Sequence, residues 1–440
     1  MRIAIIGGGI SGLTAAYELE KARKAGHPLD WHLYEAGNRL GGIVETLRHD
    51  GFILEGGPDG WVTEKTAARD LAIELGLESE LIPSNDATRK TYILRNGELI
   101  AIPDGMRMMV PEDLAALENS TLFSLSARQS YAAEPTRAAE LKASAPQQDE
   151  SVASFVQRHF GEEVLTKIAA PLLGGVFGGD VHKLSVQAVM PQFVAMEREH
   201  GSLILALQSK SRKEKRSAIF TSLRGGMQTL IDALVATLPS ERIHLNHRIE
   251  SVPEDVEKVI VATSLDTLRK LLPGVAPLVP QNASSAVLAA FGWKNTSLQV
   301  PQGFGFLVPD GELLAATFVD QKFPDRVPPG GKIIRAFFGG KGAAGLMDAI
   351  DEEISKQAKV QLEKILGPLS EPDVVHVTRW PRSLPQYEVD HLERLQKLQP
   401  IMQQTQHLHL LGNMFGGVGL PDLVRQAQGT IAKIVDEMAG

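Results

Sequence analysis

Arg2-Ile3-Ala4-Ile5-Ile6-Gly7-Gly8-Gly9-Ile10-Ser11-Gly12 opens the chain and decides its fold. Ile3 to Ile6 is an apolar run with β-branched residues, which predicts a buried strand. Three glycines follow at once, and residues 13–25 then place Leu13, Ala16, Tyr17 and Leu19 on one side of a helix. A second apolar run over 31–34 ends in Glu35. This is a βαβ unit with parallel strands. In such a unit Gly7 permits the tight turn, Gly9 lets a pyrophosphate approach the backbone, and Gly12 lets the helix close on the strand. The helix N-terminus, with Gly8, Ile10 and Ser11, offers free N–H groups and a partial positive charge to phosphates. The Glu35 carboxylate can accept hydrogen bonds from both ribose hydroxyls and would repel a 2′-phosphate. The ligand expected here is a dinucleotide.

Working outward, 440 residues are too many for one core. Apolar residues make up 43% and charged residues 22%, the balance of an ordinary globular protein. The formal charge of −8 disfavours nucleic acid as a partner. There is no cysteine, which excludes disulfides, Cys-ligated metal and a thiol nucleophile. No metal site is expected. No apolar run reaches the length of a membrane span, and the first residues do not read as a signal peptide, so the cytoplasm is expected.

Residues 91–102 alternate around Arg95-Asn96-Gly97 and predict a hairpin. From 111 to about 208 the chain is mostly helical, and within it 126–150 is small, polar and charged, as in a mobile lid. Lys210, Arg212, Lys213, Lys215 and Arg216 read as a solvated helix end. Met106, Met108, Met109 and Val110 read as a wall of the helical part rather than a membrane contact. Strands are predicted over 243–252 and 258–262, strand-rich antiparallel material over 285–338, a helix over 348–366, a strand over 408–411 and a last helix over 421–438. The fold class is α/β (α+β overall). A discontinuous Rossmann-like nucleotide domain is built from 1–85, 215–275 and 395–440. An antiparallel-sheet substrate domain spans 86–105 and 276–394, with a helical subdomain over 106–214.

Two further motifs sharpen the ligand. Glu35-Ala36-Gly37-Asn38-Arg39-Leu40-Gly41-Gly42 follows the second strand without a gap, and a nicotinamide site has no need of Arg39 and the paired glycines. Gly412-Asn413-Met414-Phe415-Gly416-Gly417-Val418-Gly419-Leu420-Pro421 is a second glycine loop leading into a helix, whose N–H groups can stabilise negative charge. The extended first pattern, with Glu55-Gly56-Gly57-Pro58-Asp59, resembles the flavoprotein amine-oxidase superfamily. That resemblance implies FAD, bound non-covalently, held by Gly7 to Gly12, Glu35, Ala36, Arg39, Gly41, Gly42, Gly57, Pro58, Asp59, Ile249, Trp380, Asn413, Val418, Gly419 and Leu420.

Within that superfamily the chain looks like the oxygen-dependent porphyrinogen oxidases. The stretches that carry the likeness are residues 170–180, Pro191-Gln192-Phe193, 303–309, Phe323-Pro324-Asp325-Arg326, Arg379-Trp380 and Pro385-Gln386-Tyr387. The resemblance implies a porphyrinogen as substrate and dioxygen as acceptor, with Phe304, Gly305, Leu307, Phe318 and Phe337 against the macrocycle. Plant and animal members carry an Arg where this chain has Thr91, a departure that favours coproporphyrinogen over protoporphyrinogen. Lys90, Arg95 and Arg335 are the candidate partners for propionates. No general base is nominated; His182 and His391 read as structural. A weak contact with a membrane or with ferrochelatase stays open. So do two alternatives: another amine oxidase or desaturase of the superfamily, and a non-redox binding protein on the same fold.

Overall fold

The computed structural model describes residues 1–210, 218–294, 298–309 and 311–439. The opening run forms the strand Arg2–Ile6, buried from Ile3 onward, and the helix Ile10–Lys24 follows. Asp30–Tyr34 pairs parallel with that strand, Ile5 opposite Leu33. Lys258–Val261 pairs with its other side, and Leu408–Leu410 lies parallel beyond it. Ile243–His244 adds the outer edge beside Asp30–Tyr34. Among the described residues this sheet has five strands, all parallel, brought from three distant parts of the chain. Apolar side chains cover both faces: Ile3, Ile5, Leu33 and Ile260 on one, Ile6, Val259 and Val261 on the other. Each contributes about 1.5–3 kcal/mol by leaving water.

The second large sheet has seven strands among the described residues. Their order is Val374–Pro385, Ala283–Trp293, Lys332–Gly339, Leu313–Phe318, Gly305–Leu307, Thr91–Arg95 and Glu98–Ala101. The hairpin turns at Asn96 and Gly97, both at positive φ, the geometry that a two-residue turn demands. One pair in this sheet is parallel, Gly305–Leu307 against Thr91–Arg95. The hairpin arrives from the first quarter of the chain and adds to an edge built from later strands. Successive side chains alternate between faces. Phe306, Ala316, Phe318, Ile334, Ala336 and Phe338 pack into the core beneath the helix Asp351–Leu366. The inner face, turned the other way, carries Thr91, Leu307, Ala315, Thr317, Arg335 and Phe337.

The third part is helical. Ser124, Ser151 and Ser185 each cap a helix by accepting the N–H three residues on. A wide π turn at Leu165–Ala169 precedes Ala170–Phe177, where Pro171 supplies no N–H to continue the ladder. Met109 and Val110 are buried in this helical core and Met106 and Met108 pack on it, as a wall.

Two segments differ from expectation. Residues 126–150, which lack a strong period in sequence, nonetheless carry the helices Leu125–Ala133 and Ala138–Ala143, which bury Ala127, Tyr131 and Leu141. Their polarity is partly internal, since Glu134 is wholly buried beside His159 and Ser202. The strand expected over 243–252 stops at His244, because the chain turns through Asn246 at φ 53° and pairs with the loop after the second strand instead. The basic run at Arg212, Lys213, Lys215 and Arg216 lies outside the described residues.

Candidate functional site

Both glycine loops sit at the carboxyl ends of parallel strands, where an open α/β sheet binds its ligands. A cleft of about 1060 Å³ between the His391–Gln404 helix, the Leu408–Leu410 strand and the last helix lies elsewhere, lined by Leu398, Met402 and His409. Of the motif residues it takes in Phe415 and none of the glycines, and the glycine loops are the better guide to chemistry because their geometry is specific.

The first loop is shaped for a close ligand. A Cβ on Gly12 would stand 1.9 Å from the Gly7 carbonyl oxygen, so the helix touches the strand there. A Cβ on Gly9 would meet nothing within 4 Å, and no side chain caps the helix. Open space therefore faces unpaired N–H groups at a helix N-terminus, the arrangement that receives a pyrophosphate. Gly8 donates to Glu35 Oε2 at 2.7 Å and Gly37 to Oε1 at 2.7 Å, which aims the carboxylate at the ribose end. Ala36 beside it is exposed. Ser11 and Ile10 are buried at the helix start.

Arg39 bends back over its own loop, donating to the carbonyls of Val44 at 3.1 Å and Gly42 at 2.5 Å, and pairing with Glu45 at 3.0 Å. The guanidinium thus shapes the turn that sets Gly41 and Gly42 against Gly9. The carbonyl of Gly56 accepts from Trp380 Nε1 and from Thr378 Oγ1, both at 2.7 Å, so the inner sheet grips the segment from Gly56 to Asp59. Ile249 packs beneath the parallel sheet with Ile6 and Val259.

The second loop is pinned from the sheet side. Tyr387 Oη donates to the Asn413 carbonyl and accepts from Gly417 N at 3.2 Å, while Asn413 Nδ2 donates to Ser383 at 2.8 Å. Burial pushes the Tyr387 hydroxyl well above the ordinary phenol range, so it stays protonated and keeps donating. Val418 and Gly419 lead into the helix Leu420–Ala439. Asp422 in its first turn is paired with Lys65 at 2.6 Å and with Arg425 at 2.8 Å, which offsets its charge at that helix end. His391 stacks on Tyr387 at 4.2 Å and, desolvated by burial and facing Arg394, falls to about 4, a structural role. His182 is exposed.

These features fit FAD, and the comparisons with known proteins agree. Residues 10–425 match the family model for flavin containing amine oxidoreductases. The chain belongs to that family. It is 32% identical to coproporphyrinogen III oxidase of Bacillus subtilis, covering 98% of this chain and 97% of the relative. It is 28% identical to mitochondrial protoporphyrinogen oxidase of Nicotiana tabacum, covering 95% and 92%. A crystal structure of a protein from Exiguobacterium sp. 255-15, provisionally named protoporphyrinogen oxidase, superposes with a TM-score of 0.86 at 31% identity over 99% of both chains. This family member is an FAD-dependent oxidase on the porphyrinogen-oxidase branch.

The structure brings most of the expected substrate residues together. Gly305 has a φ of 144°, and a Cβ there would lie 2.0 Å from the Ala316 carbonyl oxygen, so only glycine fits. Thr91 stands opposite Gly305, and Leu307 packs towards the Ala170–Phe177 helix, whose Gly175 is exposed. Phe337 shares that face, half-buried, and Phe304 leans on Phe220 at 6.4 Å. Phe318 does not join them: strand alternation turns it to the opposite core, 5.9 Å from Phe306. Of the three candidate cations, Arg335 is buried against Asp59 and the Gly57 carbonyl, and Arg95 donates to the carbonyls of Thr121 and Leu122. Lys90 alone of these three is exposed. The motifs did not single out Lys322, Thr378 as a partner of Gly56, or Tyr387 as the pin of the second loop.

No helix among the described residues is long and apolar enough to cross a membrane.

Proposed function

We propose that this chain oxidises coproporphyrinogen III to coproporphyrin III in haem biosynthesis. Three dioxygen molecules take the six electrons and six protons that leave the macrocycle and end as three hydrogen peroxide molecules. The observation that carries the reading is the likeness to the Bacillus subtilis coproporphyrinogen III oxidase over the whole of both chains. When bound, FAD supplies the two-electron oxidising chemistry.

The chain's own residues supply a seat. Leu307, Ala315 and Phe337 give the inner sheet face an apolar surface, and Gly175 of the Ala170–Phe177 helix lies beside Leu307. A broad macrocycle with a largely apolar centre is the class of substrate that such a slot orients and shields from water. Thr91 leaves the rim short and uncharged where plant and animal relatives place a cation. Lys90, exposed beside it, is the proposed partner for a propionate. Glu35, Arg39 and the two glycine loops hold the dinucleotide.

The test is a purified, aerobic assay with coproporphyrinogen III and protoporphyrinogen IX side by side. The expected result is a yellow protein that forms fluorescent coproporphyrin with three oxygen molecules consumed per porphyrin. Preference for protoporphyrinogen, or turnover only of amines, would overturn the substrate assignment. Turnover without oxygen uptake would overturn the acceptor.

A further inference from the structure

Behind the segment Gly56 to Asp59 lies a cluster of largely buried charges. Lys322 Nζ sits 3.1 and 3.0 Å from the two oxygens of Asp59, and Arg335 Nη1 is 3.3 Å from one of them. Arg326, wholly buried, pairs with Glu55 at 2.5 Å and donates to Ser222 Oγ at 2.5 Å; Ser222 in turn donates to the Asp59 carbonyl at 2.5 Å. Lys322 also lies 4.3 Å over the Phe220 ring. Three cations thus face two carboxylates in one buried network. Burial opposes the Asp59 charge, yet Lys322 and Arg335 outweigh it and hold the carboxyl at about 2. Burial likewise lowers Lys322, with Asp59 pulling the other way.

The cluster is poised against the cofactor seat. A Cβ on Gly57 would fall 1.8 Å from the Ile43 carbonyl oxygen, and one on Gly42 would fall 3.2 Å from Gly9 Cα. The backbone therefore runs in contact from the pyrophosphate turn through Gly42 and Ile43 to Gly57. Glu35 would hold the ribose end of the dinucleotide, and the backbone path from the turn through Gly42 and Ile43 to Gly57 is the part of the chain that would receive its redox end. Gly57, Pro58 and Asp59 are half-exposed there, while Arg326 and Arg335 behind them are buried.

We propose that Lys322, Asp59 and Arg335 are positioning residues that set the reduction potential of the bound flavin, the surplus cation favouring the electron-rich reduced form. A charge in a low-dielectric setting acts over longer range than one in water. The inference rests on flavin binding in this family and not on the porphyrinogen assignment.

The test is the midpoint potential of the purified holoenzyme, titrated with a reductant and redox dyes, with FAD content recorded for each variant. No porphyrinogen enters the measurement, so its outcome is separable from the substrate assay. Lys322→Met removes a cation and is expected to lower the potential. Asp59→Asn removes an anion and is expected to raise it. The double variant restores the charge count and should return close to wild type. A tenfold shift in the oxidised-to-reduced equilibrium, about 30 mV for a two-electron couple, is the size to look for in each single variant. Lys322→Arg keeps the charge and should stay near wild type, so it serves if Lys322→Met does not accumulate as holoenzyme. Singles that move the same way, singles that do not move, or a shift in Lys322→Arg as large as in Lys322→Met would each overturn the proposal.

Discussion

Glu35 and Gly8 are joined by a 2.7 Å hydrogen bond from the Gly8 N–H to the Glu35 carboxylate, across the mouth of the glycine turn. The other carboxylate oxygen holds Gly37. One side chain thereby fixes the end of the second strand to the start of the first helix, and keeps lone pairs for ribose hydroxyls. Hydrogen bonds to a charged group contribute about 1.5–3 kcal/mol each. Glu35→Ala should therefore weaken FAD binding by at least tenfold. Quenching of flavin fluorescence on titrating the apoprotein measures it, and an unchanged affinity would remove Glu35 from the site.

Gly9 and Gly12 separate ligand contact from fold. A Cβ on Gly12 collides with the Gly7 carbonyl oxygen, whereas one on Gly9 enters open space. Gly12→Ala should destabilise the apoprotein by about 1–3 kcal/mol or prevent folding, as overpacking does. Gly9→Ala should leave the urea midpoint of the apoprotein within about 1 kcal/mol, the difference between glycine and alanine at a helix cap. It should still abolish the yellow colour. If Gly9→Ala binds FAD normally, the pyrophosphate does not lie over Gly9.

Much of this is legible in the sequence. The strand, turn and helix at residues 2–24 are local, and the ligand's demands fall on adjacent residues. The inner sheet face was harder. Leu307 and Phe337 lie on the inner face, but Phe318 does not, because one residue of strand parity decides the face and a bulge between Leu313 and Ala315 interrupts the count. Lys322 and Asp59 are 263 residues apart, and nothing in either local window announces the other. The same holds for Glu134. It sits in a polar stretch that reads as solvent-exposed, yet its carboxylate is buried because His159 and Ser202 come to it from elsewhere.

His159 makes the helical subdomain sensitive to pH. Its ring is fully buried between Glu134 at 3.0 Å and Glu197 at 3.1 Å. Burial disfavours the imidazolium, but hydrogen bonds and charge from the two carboxylates prevail and raise its pKa above the ordinary value. A raised folded-state pKa contributes stability that is fully present below the unfolded value of about 6.5 and is lost as pH rises through the folded value. Urea midpoints should fall over that window in the wild type. His159→Gln should flatten this part of the profile and cost about 3–5 kcal/mol at neutral pH, as when one partner of a buried pair is removed. A midpoint that stays level through that window in the wild type would rule out the charged form.

Tyr387 reaches from the end of the Val374–Pro385 strand to the second glycine loop, touching Asn413 and Gly417. Tyr387→Phe keeps the ring stacked on His391 and removes only the hydroxyl. The loss should be about 1 kcal/mol per hydrogen bond, read as a weaker hold on FAD by roughly tenfold with little change in overall stability. A loop pinned mainly by Asn413 and Ser383 would show no such change.

Gly175 decides whether the slot between helix and sheet is where the substrate lies. It is exposed on the Ala170–Phe177 helix, and a Cβ added there would stand 3.5 Å from Leu307 Cδ2, an ordinary contact that the fold can accept. Gly175→Leu extends three more carbons towards the inner face. The helix should keep its stability, since glycine costs a helix about 0.8–1.0 kcal/mol relative to alanine and leucine ranks just below alanine. The flavin spectrum and midpoint potential should stay as in the wild type. The KM for coproporphyrinogen should rise tenfold or more, because a blocked flat slot excludes the ring before any chemistry begins. If KM is unchanged and kcat falls, the added side chain is disturbing the reaction from a distance, and the ring binds on another part of the inner face.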